Sequence, residues 1–262
     1  MMGDKSPSDG LTLPVPGSFD DLSADLARAE ALLAHGEVAR DVKALLWGSN
    51  YASLVAVQGA EGCVLAVYKP QRGERSLWDF PDGTLCCREL LAYHVAKALG
   101  WNLVPPTVLR EGPLGLGSVQ LFIVHSPEVT YFGLDDRFAA QLRRFAVFDF
   151  IVNNADRKGG HLLLDVRGKL WGIDHGLTFH AAPKLRTVIW EFAGQPVEES
   201  WLHDVEVLCE QLAVDEARLV ELLRRCLTPR EVLALRRRVE WLLREKRFPV
   251  PGRGPVVPWP PV

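Results

Sequence analysis

The sequence predicts an α+β protein of two lobes, the first rich in strands and the second mainly helical. Between residues 42 and 124, short apolar runs alternate with Gly- and Asn-containing turns, the pattern of antiparallel strands. After about residue 125 apolar residues recur at helical spacing. The chain of 262 residues carries 30 Lys+Arg against 33 Asp+Glu, a net charge of −3, with 48% hydrophobic residues. That balance excludes an acidic disordered tail and a generally basic nucleic-acid coat, so no nucleic-acid partner is expected.

Residues 1–17 read as a flexible leader without the basic start and apolar stretch of a secretory signal. No apolar run approaches the roughly 20 residues that span a bilayer, and no integral membrane association is expected. The five cysteines contain no Cys-x-x-Cys pair, which argues against a zinc site or a disulfide framework and for a cytoplasmic location. The first lobe spans 18–124. Ser18 and Asp21 open a helix that Gly36 closes. Runs over 42–47, 52–58 and 63–69, separated by Gly48-Ser49-Asn50-Tyr51 and Gly59-Ala60-Glu61-Gly62, predict a three-stranded meander. A loop over 70–83 leads to a helix over 84–99 stopped by Gly100, and strands follow over 108–110 and 118–124.

The second lobe spans 125–247. It opens with one long helix over 135–152, continues with a hairpin of 162–166 and 170–174, and ends in two helices. Thr228-Pro229-Arg230-Glu231 combines a capping box with proline at the first helical position, marking the start of the last helix. Residues 224–247 hold nine Arg/Lys against three Glu, which reads first as a solvated helix face. Residues 248–262 contain six prolines and read as an extended tail.

Residue types that contradict their neighbours carry the chemistry. Lys69 shares a strand face with Leu65 and Val67, where an amine is costly unless matched or able to reach water at the fraying strand end. Glu89 falls on one helical arc with Leu85, Ala92, Tyr93 and Ala96, whereas Arg88, His94 and Lys97 lie elsewhere. Lys69 is the nearest cationic partner for that acid. Asp156 follows the apolar helix of Phe145, Val147, Phe148, Phe150 and Ile151 and enters a Gly159-Gly160 loop. Asp174 ends a short strand, with Gly176 permitting the turn after it. Joined through a hairpin, the two carboxylates can face one cleft, one orienting a hydroxyl proton and the other binding a divalent cation. Taken singly, each reads first as a turn or capping acid, which surface aspartates usually are.

Phe148-Asp149-Phe150-Ile151-Val152-Asn153-Asn154-Ala155-Asp156-Arg157, with Gly172-Ile173-Asp174-His175-Gly176, resembles the catalytic and metal-binding motifs of the phosphatidylinositol 3-/4-kinase-like proteins. Val67-Tyr68-Lys69-Pro70, Arg88-Glu89 and Val104-Pro105-Pro106-Thr107 resemble that superfamily's first lobe. The type II phosphatidylinositol 4-kinases and the HipA-type toxin kinases share the spacing, and an uncharacterised bacterial family of phosphatidylinositol-kinase-like proteins is most similar, over about 36–185. The resemblance implies a bilobal, protein-kinase-like fold that binds ATP with Mg²⁺ or Mn²⁺. Lys69 would contact the α- and β-phosphates, Glu89 would hold Lys69, Asp156 would be the catalytic aspartate and Asp174 a metal ligand. Gly48, Ser49 and Asn50 would cover the phosphates with backbone N–H groups, and Phe122, Ile123 and Val124 would face adenine.

His161 stands five residues after Asp156, where related kinases have a metal-binding Asn. It is open as a metal ligand better suited to Mn²⁺ or Zn²⁺, a phosphate contact, a mark of weakened catalysis, or a plain loop histidine. His175 and His180 are lesser candidates. The leading expectation is an ATP-dependent phosphotransferase acting on an unidentified protein or small-molecule acceptor. The alternatives are a non-catalytic nucleotide-binding regulator and, more distantly, a metal-dependent hydrolase built on Asp156, His161, Asp174 and His180.

Overall fold

The structure, a computed structural model, describes residues 22–38, 43–44, 52–60 and 62–262. The leader, the Ser18–Asp21 helix start, most of the 42–47 strand and the Gly48-Ser49-Asn50-Tyr51 turn lie outside the described residues. Helix α1 (Leu22–His35) precedes the short strands β1 (Glu37–Val38) and β2 (Lys43–Ala44), then β3 (Ser53–Gly59) and β4 (Gly62–Pro70). Helix α2 (Leu85–Ala98) follows, then β5 (Thr107–Gly112) and β6 (Gly115–Leu121). The six strands form one antiparallel sheet in the order β1-β3-β4-β6-β5, with β2 also paired to β3. Strand β4 is central, and Lys69 near its end is in register with Ser118 of β6.

The helical part comprises α3 (Ala139–Val152), the hairpin β7 (Leu162–Leu164) and β8 (Leu170–Gly172), and α4 (Glu199–Ala213), α5 (Arg218–Cys226) and α6 (Pro229–Glu245). Four expected boundaries move. The 118–124 strand ends at Leu121. The 135–152 helix is interrupted by a 3₁₀ turn at Asp136–Phe138, where the Asp135 side chain accepts from the Arg137 N–H and pulls the chain out of the α-helix. The hairpin's second strand stops at Gly172, two residues before Asp174. Three C-terminal helices replace two: the chain turns between Val214 and Ala217, and this rotates Leu219, Val220 and Leu223 onto the core. The capping box at Thr228 is present, with Thr228 Oγ1 accepting from the Glu231 N–H at 3.3 Å and Glu231 Oε2 accepting from the Thr228 N–H at 2.9 Å.

Among the described residues two main apolar cores form, beside a minor cluster of Phe80, Leu85 and Ala155. The smaller joins Leu33 of α1 to Val55, Val57, Ala66, Tyr68 and Val119 of the sheet. The larger gathers α3 to α6 and includes Leu91, Ala92, Val95 and Ala96 of α2. Helix α2, inserted in sequence between strands, thus joins the two parts: it contributes to the larger core and also lies against β5 and β6. No helix among the described residues is long and apolar enough to cross a membrane. The proline-rich segment does not stand free: Thr187 N–H and Trp190 Nε1–H both donate to Val256 O, and Gly159 N–H donates to Pro261 O.

Candidate active site

Three elements bring Lys69, Glu89 and Asp174 together. Strand β4 delivers the Lys69 amine, which lies 2.5 Å from Glu89 Oε1 on α2 and 2.9 Å from Asp174 Oδ1 beyond β8. Burial opposes the charge on Lys69, but the two carboxylates outweigh it and hold its pKa above the ordinary value. The Lys69 amine keeps Asp174 ionised far below the usual carboxylate range, against the opposing effect of burial. Glu89 uses its second oxygen as well: Oε2 accepts the His175 N–H at 2.9 Å, tying α2 to the turn after Asp174. That turn is made by Asp174 itself, whose φ of 59° is left-handed, and not by Gly176. A Cβ at Gly176 would meet Leu85 Cβ of α2 at 3.4 Å, an ordinary van der Waals contact.

A second cluster fixes Asp156. Helix α3 ends at Asn153 in a left-handed conformation (φ 52°), with its side chain bonded to His180 O, Ala182 O and the Lys184 N–H. Asn154 Oδ1 accepts the Asp156 N–H at 3.0 Å, and Ala155 N–H donates to Leu177 O. Arg157, fully buried, pairs with the equally buried Asp149 at 2.9 Å and donates to the carbonyls of His161 and Ile173. These bonds leave the Asp156 carboxyl a quarter exposed, 3.6 Å from Lys158 Nζ. Burial pushes its pKa up to about 6, with Lys158 pulling it down and Asp174 adding to the rise. A carboxylate poised there is matched to taking a proton near neutral pH.

His161 lies between the two clusters. Its Nε2 is 3.4 Å from Asp174 Oδ2, and burial pushes its pKa down to about 4, so the ring is neutral at physiological pH. His175 is fully buried; its Nε2 meets Arg157 Nη2 at 2.6 Å, and it supports the turn from the interior. His180 packs edge-on against Phe80 and bonds within its own turn to Ala182. Among the described residues no group of three or more His, Cys, Asp or Glu side chains is placed to hold a metal ion.

Phe122, Ile123 and Val124 follow β6 as an irregular link between the lobes. Phe122 N–H donates to Leu65 O, the Ile123 carbonyl meets the His125 ring at 2.8 Å, and Val124 is exposed. Gly48, Ser49 and Asn50 lie outside the described residues. Two site residues escaped the sequence reading. Arg88 is fully buried, bonded to Thr178 O at 2.6 Å and to Glu231 Oε1 at 2.7 Å. The other is Arg157, for which Asp149, an acid in the apolar run of α3, is the sequence signal of a buried cation.

Known proteins share the sequence pattern and the fold. The phosphatidylinositol 3- and 4-kinase family model matches residues 111–238. Protein Rv2133c of Mycobacterium tuberculosis is 41% identical, over 74% of this chain and 81% of that protein. Hydra Fam20, solved with sugar, shares the fold with a TM-score of 0.50 at 14% identity, over 86% of this chain and 89% of that one. The Helicobacter pylori proinflammatory kinase CtkA does so with a TM-score of 0.50 at 12% identity, over 81% and 93%. The fold is that of the atypical kinases, and the chain belongs to a bacterial family of phosphatidylinositol 3- and 4-kinase-like proteins that includes Rv2133c.

Proposed function

We propose that this protein is an ATP-dependent phosphotransferase whose nucleotide lies in the crevice between the sheet and the helical part. The observation that carries the reading is Lys69, which meets Glu89 of α2 and Asp174 of the post-β8 turn at one point. An amine held between two acids is charged and fixed, ready to exchange its contact with Asp174 for phosphate oxygens when a triphosphate enters. Asp174 and His161 are the residues that would hold a divalent cation. Their donor atoms stand 3.4 Å apart, and a neutral imidazole beside an ionised carboxylate is a fitting pair that leaves further positions to phosphate and water. Such a cation would neutralise developing charge on the phosphates.

Asp156 orients the acceptor hydroxyl and takes its proton as the acceptor oxygen bonds to the γ-phosphorus. The bond from that phosphorus to the β,γ-bridging oxygen breaks, and ADP leaves. Lys158, 3.6 Å from Asp156, places a second positive charge where the transferred group passes. The regulator reading keeps one supporting observation, the histidine at residue 161 in place of an amide ligand. Thermal-shift titration with ATP in Mg²⁺ and in Mn²⁺, followed by ATP turnover, separates the two. The phosphotransferase reading expects stabilisation by ATP, turnover by the wild type, and loss of turnover in Lys69→Met and Asp156→Ala with the fold retained. Turnover undiminished in either variant would refute the mechanism; stabilisation without turnover in the wild type would favour the regulator.

A further inference from the structure

We propose that the acceptor is an extended polypeptide bearing a hydroxyl side chain, and that residues 249–262 lie in its groove as a stand-in unable to accept phosphate. The proposal rests on the phosphotransferase reading. The groove has two walls, the loop carrying Asp156 and the segment that follows Asp174. They are joined by Arg157 N–H to Arg186 O at 3.0 Å and Val188 N–H to Arg157 O at 3.2 Å. Across them runs the proline-rich segment. Thr187 N–H and Trp190 Nε1–H converge on Val256 O at 3.0 and 2.9 Å, and Gly159 N–H reaches Pro261 O at 2.8 Å.

Each of these donors addresses a main-chain carbonyl, which is how proteins hold extended peptides with little regard to side chains. A lipid or a small metabolite offers no such succession of amide carbonyls. Gly159 contributes by what it lacks: a Cβ there would sit 2.8 Å from the Phe132 ring and 3.5 Å from Pro261 O, on the path of the chain. The groove reaches Gly159, three residues from Asp156, so a chain lying in it passes close to the proposed base. Residues 249–262 contain no Ser, Thr or Tyr. They bury Pro258 but leave Trp259 89% exposed, so the segment is held at a few points and can be displaced. With a peptide in its place, the γ-phosphoryl group passes from ATP to a Ser, Thr or Tyr oxygen. The hydroxyl proton goes to Asp156, and ADP is released.

The test uses a labelled synthetic peptide of residues 249–262, its Val257→Ser and Val262→Ser forms, the full chain, and a variant lacking 249–262. Binding is read by fluorescence anisotropy without ATP. The truncated protein is expected to bind the peptide roughly tenfold or more tightly than the full chain, where the tethered copy competes at high effective concentration. It is expected to phosphorylate a serine form faster than the full chain, with the unsubstituted peptide inhibiting. Pro258→Asp in the full chain unseats the segment without shortening the protein and is expected to act alike should truncation impair folding. A folded truncated protein, or the Pro258→Asp chain, that ignores the peptide overturns the proposal, as does slower peptide phosphorylation, which would make the segment a structural strap. Peptide binding with no ATP turnover in any form overturns the phosphotransferase reading and leaves the groove standing.

Discussion

Asp156 is held with its pKa raised from 3.8 to about 6, chiefly by burial, and this has a thermodynamic consequence. A carboxyl that is harder to ionise in the folded state than in the unfolded one lowers stability once it must ionise. The loss is absent below the unfolded pKa, grows through the interval between 3.8 and about 6, and is complete above it. Asp156→Asn removes the ionisation and keeps the shape. The variant is expected to gain about 1–3 kcal/mol at pH 8, and nothing comparable at pH 3, by urea denaturation at both. Equal gains at the two pH values, or a loss at pH 8, would count against a base kept poised at the expense of stability. The site was legible where a residue type clashed with its setting. Lys69 on an apolar strand face and Glu89 on an apolar helix arc each demanded a partner, and they are partners at 2.5 Å. Arg157 was less legible because a loop arginine next to an aspartate suits solvent equally well. Only tertiary structure brings Asp149 and the carbonyls of His161 and Ile173 around it.

Helix α2 shows what periodicity alone could not reveal. Reading one apolar arc left Arg88 off the buried face, yet the helix is covered on more than one side, and Arg88 lies 0% exposed. Its Nε meets Thr84 Oγ1 at 3.2 Å, Nη1 the Thr178 carbonyl at 2.6 Å and Nη2 the Glu231 carboxylate at 2.7 Å, with the Phe80 ring 5.0 Å away. This one side chain thereby ties the helix carrying Glu89 to the segment after Asp174 and to the first turn of α6. Arg88→Met strands Glu231 in the interior and is expected to cost about 3–5 kcal/mol in chemical denaturation. Adding Glu231→Gln is expected to return part of that loss, because no uncompensated charge then remains. Arg88→Lys should not rescue, since a lysine cannot address three acceptors in a plane. A cost below about 1 kcal/mol for Arg88→Met would show that the buried pair does not hold the helix. The other misplaced boundaries have local causes. An Asx-type bond at Asp135 starts a 3₁₀ turn inside an otherwise helical pattern, and the turn at 214–217 contains neither Gly nor Pro to announce it.

Helix α2 stands where the sheet and the helical part meet, packed against β5 and β6 on one side and against α3 and α5 on the other. Chain order places α2 among strands, but its apolar residues lie in the core of α3 to α6, while the sheet and α1 share a separate, smaller core. On the sheet side α2 lies against β5 and β6 and adds polar links, Lys69 to Glu89, and Tyr93 and Lys97 to Glu30 of α1. Links to the helical part include the deeply buried Arg88 bonds and the Glu89–His175 contact. A free-energy difference follows. Releasing the sheet exposes its small core and the face of α2 that lies against β5 and β6, whereas releasing α2 opens the main core as well and leaves buried charge behind. Native-state hydrogen exchange is therefore expected to place the amides of 85–98 in the slow set with α3 and α6. The amides of β3, β4, β5 and β6 should exchange roughly tenfold or more faster, as one unit. Were α2 to exchange at the rate of the sheet, the helix would move with the strands and Glu89 would leave Asp174 whenever the crevice opens. If it exchanges with the helices, opening carries away only Lys69. The carboxylates of Glu89 and Asp174 then stay in place for the amine to return.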